Sequence, residues 1–190
     1  MIIFVISKSK NMKNLILILV LFISVVGLSQ NVENKILRIG KDSIDLMLLN
    51  DLVEIEINRI RKKNNMDTLL SDETLRKKAY INSFKCSKLN GIEIKHFEKN
   101  VGEVVHVSAS SSNRIIIQKQ AESIVNSWMN SPAHKDIILN KNLKYFGAGV
   151  IVGIKIIMED HISISEPNKL FPTNMYCSWS SVRFSENPLP

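Results

Sequence analysis

The feature that most constrains this chain is the run Trp128-Met129-Asn130-Ser131-Pro132-Ala133-His134, continuing into Ile137-Ile138-Leu139. Upstream of it, Ile117, Ala121, Ile124, Val125, Trp128 and Met129 recur at the spacing of the apolar stripe of one amphipathic helix. Ser131-Pro132 ends that helix, because a residue that precedes proline is pushed out of the α region. The same pair opens a second, short helix, with Ser131 as N-cap and Pro132 at the first position, where no amide donor is needed. His134 then falls on the first turn, near the positive end of the helix dipole, where a cation is disfavoured. The sequence predicts a placed, neutral imidazole that can accept a hydrogen bond or bind a metal.

The amino end is a targeting segment. Met12-Lys13-Asn14 gives a short positive start, Leu15 to Val26 is an almost unbroken apolar run, and Gly27-Leu28-Ser29-Gln30 supplies a small and polar exit. This is the pattern of a secretory signal peptide over residues 1–30, with Met12 as a candidate initiator. An uncleaved anchor is the competing reading, but the apolar run falls short of the roughly 20 residues a comfortable membrane span needs. Loss of residues 1–30 removes Lys8, Lys10 and Lys13 and no acid, so the formal charge falls from +7 to +4. So mild a charge on an exported chain argues against nucleic acid as a partner. Arg59, Arg61, Lys62, Lys63, and again Arg76, Lys77 and Lys78, read as solvated helix faces. The remaining chain, about 160 residues, fits one domain with a single core. Its expected parts are a lead over 31–43, a domain over 44–184 and a tail over 185–190.

The elements read in order as helix, helix, strand, helix, short helix, then strands. Ile44 to Lys62 is apolar on most sides, with Ile55 among its apolar residues, which fits a largely buried helix. Ser71 is the expected N-cap of a second helix that carries Leu75, Ala79, Cys86 and Leu89 at core spacing. Strands are expected at Val104–Ser108, at Tyr145–Met158 with a bend at Gly153, and at Asn174–Phe184. Ser108–Asn113 and Glu159–Thr173 are expected as loops. Helices beside a small antiparallel sheet make an α+β arrangement.

Five segments in order resemble one family. Trp128 to His134 is similar to the Trp-Met-Asn-Ser-Pro-Gly-His element of bacterial CAP domains, whose superfamily includes cysteine-rich secretory proteins, insect venom antigens and plant pathogenesis-related proteins. Ile57-Asn58-Arg59-Ile60-Arg61, within Leu52–Leu70, resembles the family's first helix with its Asn-x-x-Arg turn. Asp72 to Ala79 resembles the start of its second helix, and His96 followed by Gly102-Glu103 resembles its His and Gly-Glu-Asn. Phe146-Gly147-Ala148-Gly149-Val150 resembles its Gly-x-Gly strand. The resemblance spans about residues 44–184 and implies the family's α-β-α sandwich.

The resemblance also implies that His96, Glu103 and His134 face one open cleft, with Ser131 at its side. Two imidazoles and a carboxylate are a reasonable set for zinc or another divalent metal with an open coordination position. They are equally an acid–base pair without metal, or hydrogen-bonded stitching between helix ends and sheet. The chain departs from the family at Val104, where an asparagine is usual, and in the six residues between His96 and Glu103, fewer than most relatives carry. Ser131 stands where eukaryotic relatives place a second glutamate, so a two-His, two-Glu set is absent. There is no His-Glu-x-x-His and no Gly-x-Ser-x-Gly. His106 and His161 are weaker candidates. Cys86 and Cys177 read either as a disulfide, which export permits, or as two buried free thiols.

The expectation is an exported monomer, secreted or held in the periplasm or at the cell surface, with no membrane span after signal cleavage. Its cleft is expected to bind a small, lipid-like or cell-surface ligand without catalysis, with or without a divalent metal. The alternatives are a metal-dependent hydrolase of peptides or envelope material, and an interaction scaffold with a vestigial cleft. Family resemblance gives fold far better than function.

Overall fold

Trp128 is 1% exposed, and the stripe it belongs to sets the layout. In the computed structural model, which describes residues 35–89, 94–96, 102–160 and 170–188, helix α3 (Ile117–Met129) buries Ile117, Ala121, Ile124, Val125 and Trp128. They pack against Leu49, Val53, Ile57 and Ile60 of helix α1 (Leu46–Lys63) and against Val104, Ala148, Val150 and Val182 of the sheet. The signal segment and His161 lie outside the described residues.

The sheet has four strands in the order β2 (Leu70–Ser71), β5 (Tyr145–Asp160), β6 (Leu170–Ser185) and β3 (Gly102–Ser110). Helix α2 (Glu73–Ser87) packs on the other face from α1 and α3, through Leu75, Ala79 and Cys86, so the layers run helix, sheet, helix. The expected α+β sandwich is present, but β2 pairs parallel with β5, which makes the sheet mixed rather than antiparallel throughout. A separate two-stranded pair joins β1 (Ile36–Arg38) to β4 (Arg114–Ile116). The core therefore begins within the expected lead, since Leu37 and Ile39 are buried in it. Among the described residues no helix is long and apolar enough to cross a membrane.

Gly147 and Gly149 set the distance between α2 and the sheet. A Cβ on Gly147 would lie 2.1 Å from Arg76 N, and one on Gly149 would lie 2.1 Å from Tyr80 N. Only residues without a side chain let the helix backbone rest directly on the strand. Beyond the two residues of β2, side chains occupy the outer edge of β5. Ala148 N donates to Glu54 Oε1 at 3.0 Å, and Val150 N donates to Asn50 Oδ1 at 2.9 Å. On the same stretch, Ser83 Oγ donates to the Gly149 carbonyl at 2.7 Å.

Several expectations are corrected. Helix α1 starts at Leu46 behind Asp45, whose carboxylate accepts from Leu48 N, and Ile55 is 61% exposed while Glu54 and Glu56 are buried. Glu54 turns inward because it meets both Ala148 N and, at 2.7 Å, the Arg76 guanidinium. Asp72, not Ser71, caps α2, accepting from Leu75 N at 2.8 Å, since Ser71 is already paired in β2. The loop expected at 108–113 is strand as far as Ser110, and the one at 159–173 is narrowed because residues 159–160 pair with 170–171.

Arg61 is fully buried rather than solvated. Its Nε donates to the Asp67 carbonyl, and its Nη1 to the carbonyls of Ile138 (2.6 Å) and Asn140 (3.0 Å). Asn58 exchanges two hydrogen bonds with the Leu69 backbone. The Asn-x-x-Arg turn therefore satisfies loop carbonyls and amides that no secondary structure reaches. Arg76 is also paired, with Glu54 and Asp51.

Candidate functional site

Strand β3 is an edge strand, and the site is built around its start. The register places Glu103 opposite Arg183 and Val105 opposite Ser181. Glu103 is buried, and both of its oxygens are engaged. Oε1 accepts from Ser181 Oγ at 2.8 Å and from Arg183 Nε at 2.9 Å, while Oε2 lies 3.0 Å from His96 Nδ1. A carboxylate paired with a guanidinium only accepts, so Nδ1 of His96 carries the proton in this contact. That leaves His96 Nε2 as the atom turned away from the carboxylate, on a side chain 48% exposed.

The segment that carries His96 is tied to α2 just before the histidine. Lys95 N donates to Cys86 Sγ at 3.3 Å, Cys86 Sγ lies 3.5 Å from the Lys95 carbonyl, and Asn82 Nδ2 donates to the same carbonyl at 3.4 Å. Cys86 and Cys177 are both free, buried thiols in a small cluster with Trp179, and burial pushes both upward in pKa.

The third residue arrives from the Ser-Pro turn. Helix α4 (Pro132–Ile138) begins as the sequence implies, with Ser131 at the N-cap and Pro132 at the first position. Ser131 N donates to the Trp128 carbonyl at 3.0 Å, which closes α3, but its hydroxyl makes no cap bond. His134 is half-buried, and burial first, then the nearby His96, holds its pKa below the usual histidine range. That direction favours a neutral imidazole, with burial rather than the helix dipole as its main cause.

A fourth residue, His106, counts for more than its sequence context suggests. It lies three positions along β3 from Glu103, so alternation puts it on the opposite face of the strand. There its Nδ1 lies 3.0 Å from Ser127 Oγ on α3. Burial, and next the charge of His134, lowers its pKa. Its partner lies 21 residues away on another element, so the alternation with Val105 and Val107 was all that the sequence offered. The three histidines thus bracket the start of β3, His96 on Glu103's side, His106 on the other, with His134 coupled to both.

Chemically, the arrangement offers exposed imidazole nitrogen on a rim anchored by a closed ion pair. Among the described residues no group of three or more His, Cys, Asp or Glu side chains is set to hold a metal ion. Three of the roughly four acceptor positions of Glu103 are already taken, by Arg183, Ser181 and His96.

Comparison with known proteins bears on the same stretch of chain. Residues 55–153 match the family described as CAP, the cysteine-rich secretory protein family. An uncharacterized protein of Borreliella burgdorferi is 31% identical over 113 residues, which covers 57% of this chain and 70% of that protein. Among solved structures, an outer surface protein from Borrelia burgdorferi is 17% identical with a TM-score of 0.44, over 77% of this chain and 98% of that one. The crystal structure of MpPR-1i is 12% identical with a TM-score of 0.47, over 78% and 93%. With the family match spanning half of the sequence, and the helix–sheet–helix layers and the Ser-Pro-x-His turn in place, the chain belongs to the cysteine-rich secretory protein (CAP) family.

Proposed function

We propose that this CAP protein is exported and acts as a non-enzymatic binding module, whose cleft takes a small, lipid-like or cell-surface ligand at His96 and His134. The observation that carries this reading is the engagement of both Glu103 oxygens. A general acid or base must exchange a proton with the substrate, and a nucleophile or metal ligand must offer a free lone pair. With three of its roughly four acceptor positions taken, one by a guanidinium, this buried carboxylate is better suited to orienting His96 than to any of these roles. What remains for a ligand is a pair of half-exposed imidazoles, good donors and acceptors for a polar head group. The residues fit a resident three-ligand zinc poorly. Two imidazoles suit only weak, reversible capture of a divalent ion, with no turnover. The apolar run Leu15–Val26 and its polar exit support export.

The test is a zinc titration and a ligand screen on purified mature protein, followed by melting temperature, since a ligand that binds only the folded state raises it. Weak stabilisation near neutral pH, lost in His96→Ala and His134→Ala variants with no hydrolysis of peptide or ester substrates, supports the reading. Turnover that disappears in the same variants would establish the hydrolase instead.

A further inference from the structure

The far end of β3 lines a second pocket, of about 240 Å³, at the start of α3 and against β6. The geometry points to this pocket as a binding site for a sugar acid, a pyranose ring that carries a carboxylate. It is separate from the histidine cleft, and the groups that matter are Ser108, Ser178, Gln120, Arg114 and Tyr176.

The pocket floor is a hydroxyl–amide triad. Gln120 Nε2 donates to Ser178 Oγ at 2.8 Å and to Ser108 Oγ at 3.2 Å, and the two hydroxyl oxygens are 2.7 Å apart. Only one hydroxyl can donate in that last contact. The other hydroxyl proton is not used in these three contacts, and the Gln120 side chain carries an acceptor oxygen as well as its donor nitrogen. Ser178 is buried, so the triad is a fixed part of the fold rather than a surface arrangement. A donor and an acceptor side by side match a ligand hydroxyl, which needs both.

The rim has one sign of charge. Arg114 lines the pocket and, with Lys119, also lines an adjoining apolar hollow of about 270 Å³ beside Ile36 and Ile116. No acidic residue is among the described residues that line either space. The first turn of α3 carries no acid, and its N-cap, Ile116, has no polar side chain to satisfy the leading amides, so neither offsets this positive field. A guanidinium holds a carboxylate through two parallel hydrogen bonds. Tyr176, in the pocket wall, supplies an aromatic ring for the apolar face of a sugar. Hydroxyl groups at one end and a carboxylate at the other satisfy floor and rim together.

The experiment is calorimetric or saturation-transfer titration of the whole protein at low salt with glucuronate, glucose and inorganic phosphate. Glucuronate is expected to bind about tenfold more tightly than glucose, the difference coming from the charge-assisted contact with Arg114. Arg114→Gln, at an exposed position, should reduce glucuronate to the level of glucose without changing the melting temperature. Ser108→Ala with Gln120→Ala should weaken both sugars, and His96→Ala should change neither. Equal binding of glucose and glucuronate, phosphate binding as tightly as glucuronate, or no effect of Arg114→Gln would each overturn the assignment.

Discussion

Glu103 and Arg183 stand directly opposite each other on β3 and β6, and their side chains meet at 2.9 Å with neither more than 2% exposed. This pair locks the edge strand to its neighbour at the point where His96 docks. A buried charge that loses its partner is left without compensation. Arg183→Ala should therefore destabilise the fold by about 3–5 kcal/mol in denaturant titration, whereas the paired change Glu103→Leu with Arg183→Met should recover most of that loss. An Arg183→Ala variant as stable as the parent would mean that the two groups are hydrated and independent.

Trp128 joins the two helices that face the sheet, through its place in the main core. Truncation to Ala should cost about 3–5 kcal/mol, a large part of the stability of an ordinary domain. A loss below about 1 kcal/mol would show that the cavity collapses or that the indole is not an anchor.

Acid should weaken the fold through two histidines. The pKa values of His106 and His134 are lowered in the folded state, mainly by burial. Between the folded value and the ordinary histidine value the unfolded chain binds more protons, so stability rises with pH through that window and levels off above it. Equilibrium unfolding measured from about pH 7.5 down to about pH 5 should show a falling midpoint, and His106→Gln with His134→Gln should flatten the slope. A midpoint that rises on acidification would contradict the burial of both rings.

Gly149 is where α2 touches β5 without an intervening side chain. Because the clash is with backbone, no rotamer change relieves it, and Gly149→Ala should displace the helix and cost about 1–3 kcal/mol. A crystal structure or a chemical-shift map of the variant should place the change on Tyr80 and its neighbours. An unperturbed α2 would refute the close packing.

The sequence made the α3–α4 turn legible because proline, an N-cap hydroxyl and a helical stripe each act locally and agree. The place of His134 on the first turn of α4 followed from them, whereas the burial that lowers its pKa did not. Other features were hidden for definite reasons. Arg61 carries charge, which reads as surface, and only the folded chain reveals the carbonyls that bury it; Arg183 gave no reading at all, because the carboxylate that pairs with it lies on another strand. Strands β1 and β4 have three residues each, too few for an alternation to register. Asp72 and Ser71 are both good caps, and the choice between them was made by strand pairing with β5. His106 gave only a weak signal, because its partner, Ser127, comes from another element.

The side chains of Glu54 and Asn50 along β5 have a consequence for what happens when two molecules of this chain meet. A strand whose outward amides are unoccupied is a template on which a second extended polypeptide can grow. Here the amides of Ala148 and Val150 already have carboxylate and carboxamide acceptors, delivered by a helix that cannot slide without leaving the core. Past the two residues of β2, recruitment of a foreign strand at this border would first have to uncover a buried glutamate. The helix thus acts as a selvedge over this part of β5, finishing the woven border so that a second chain does not pair there.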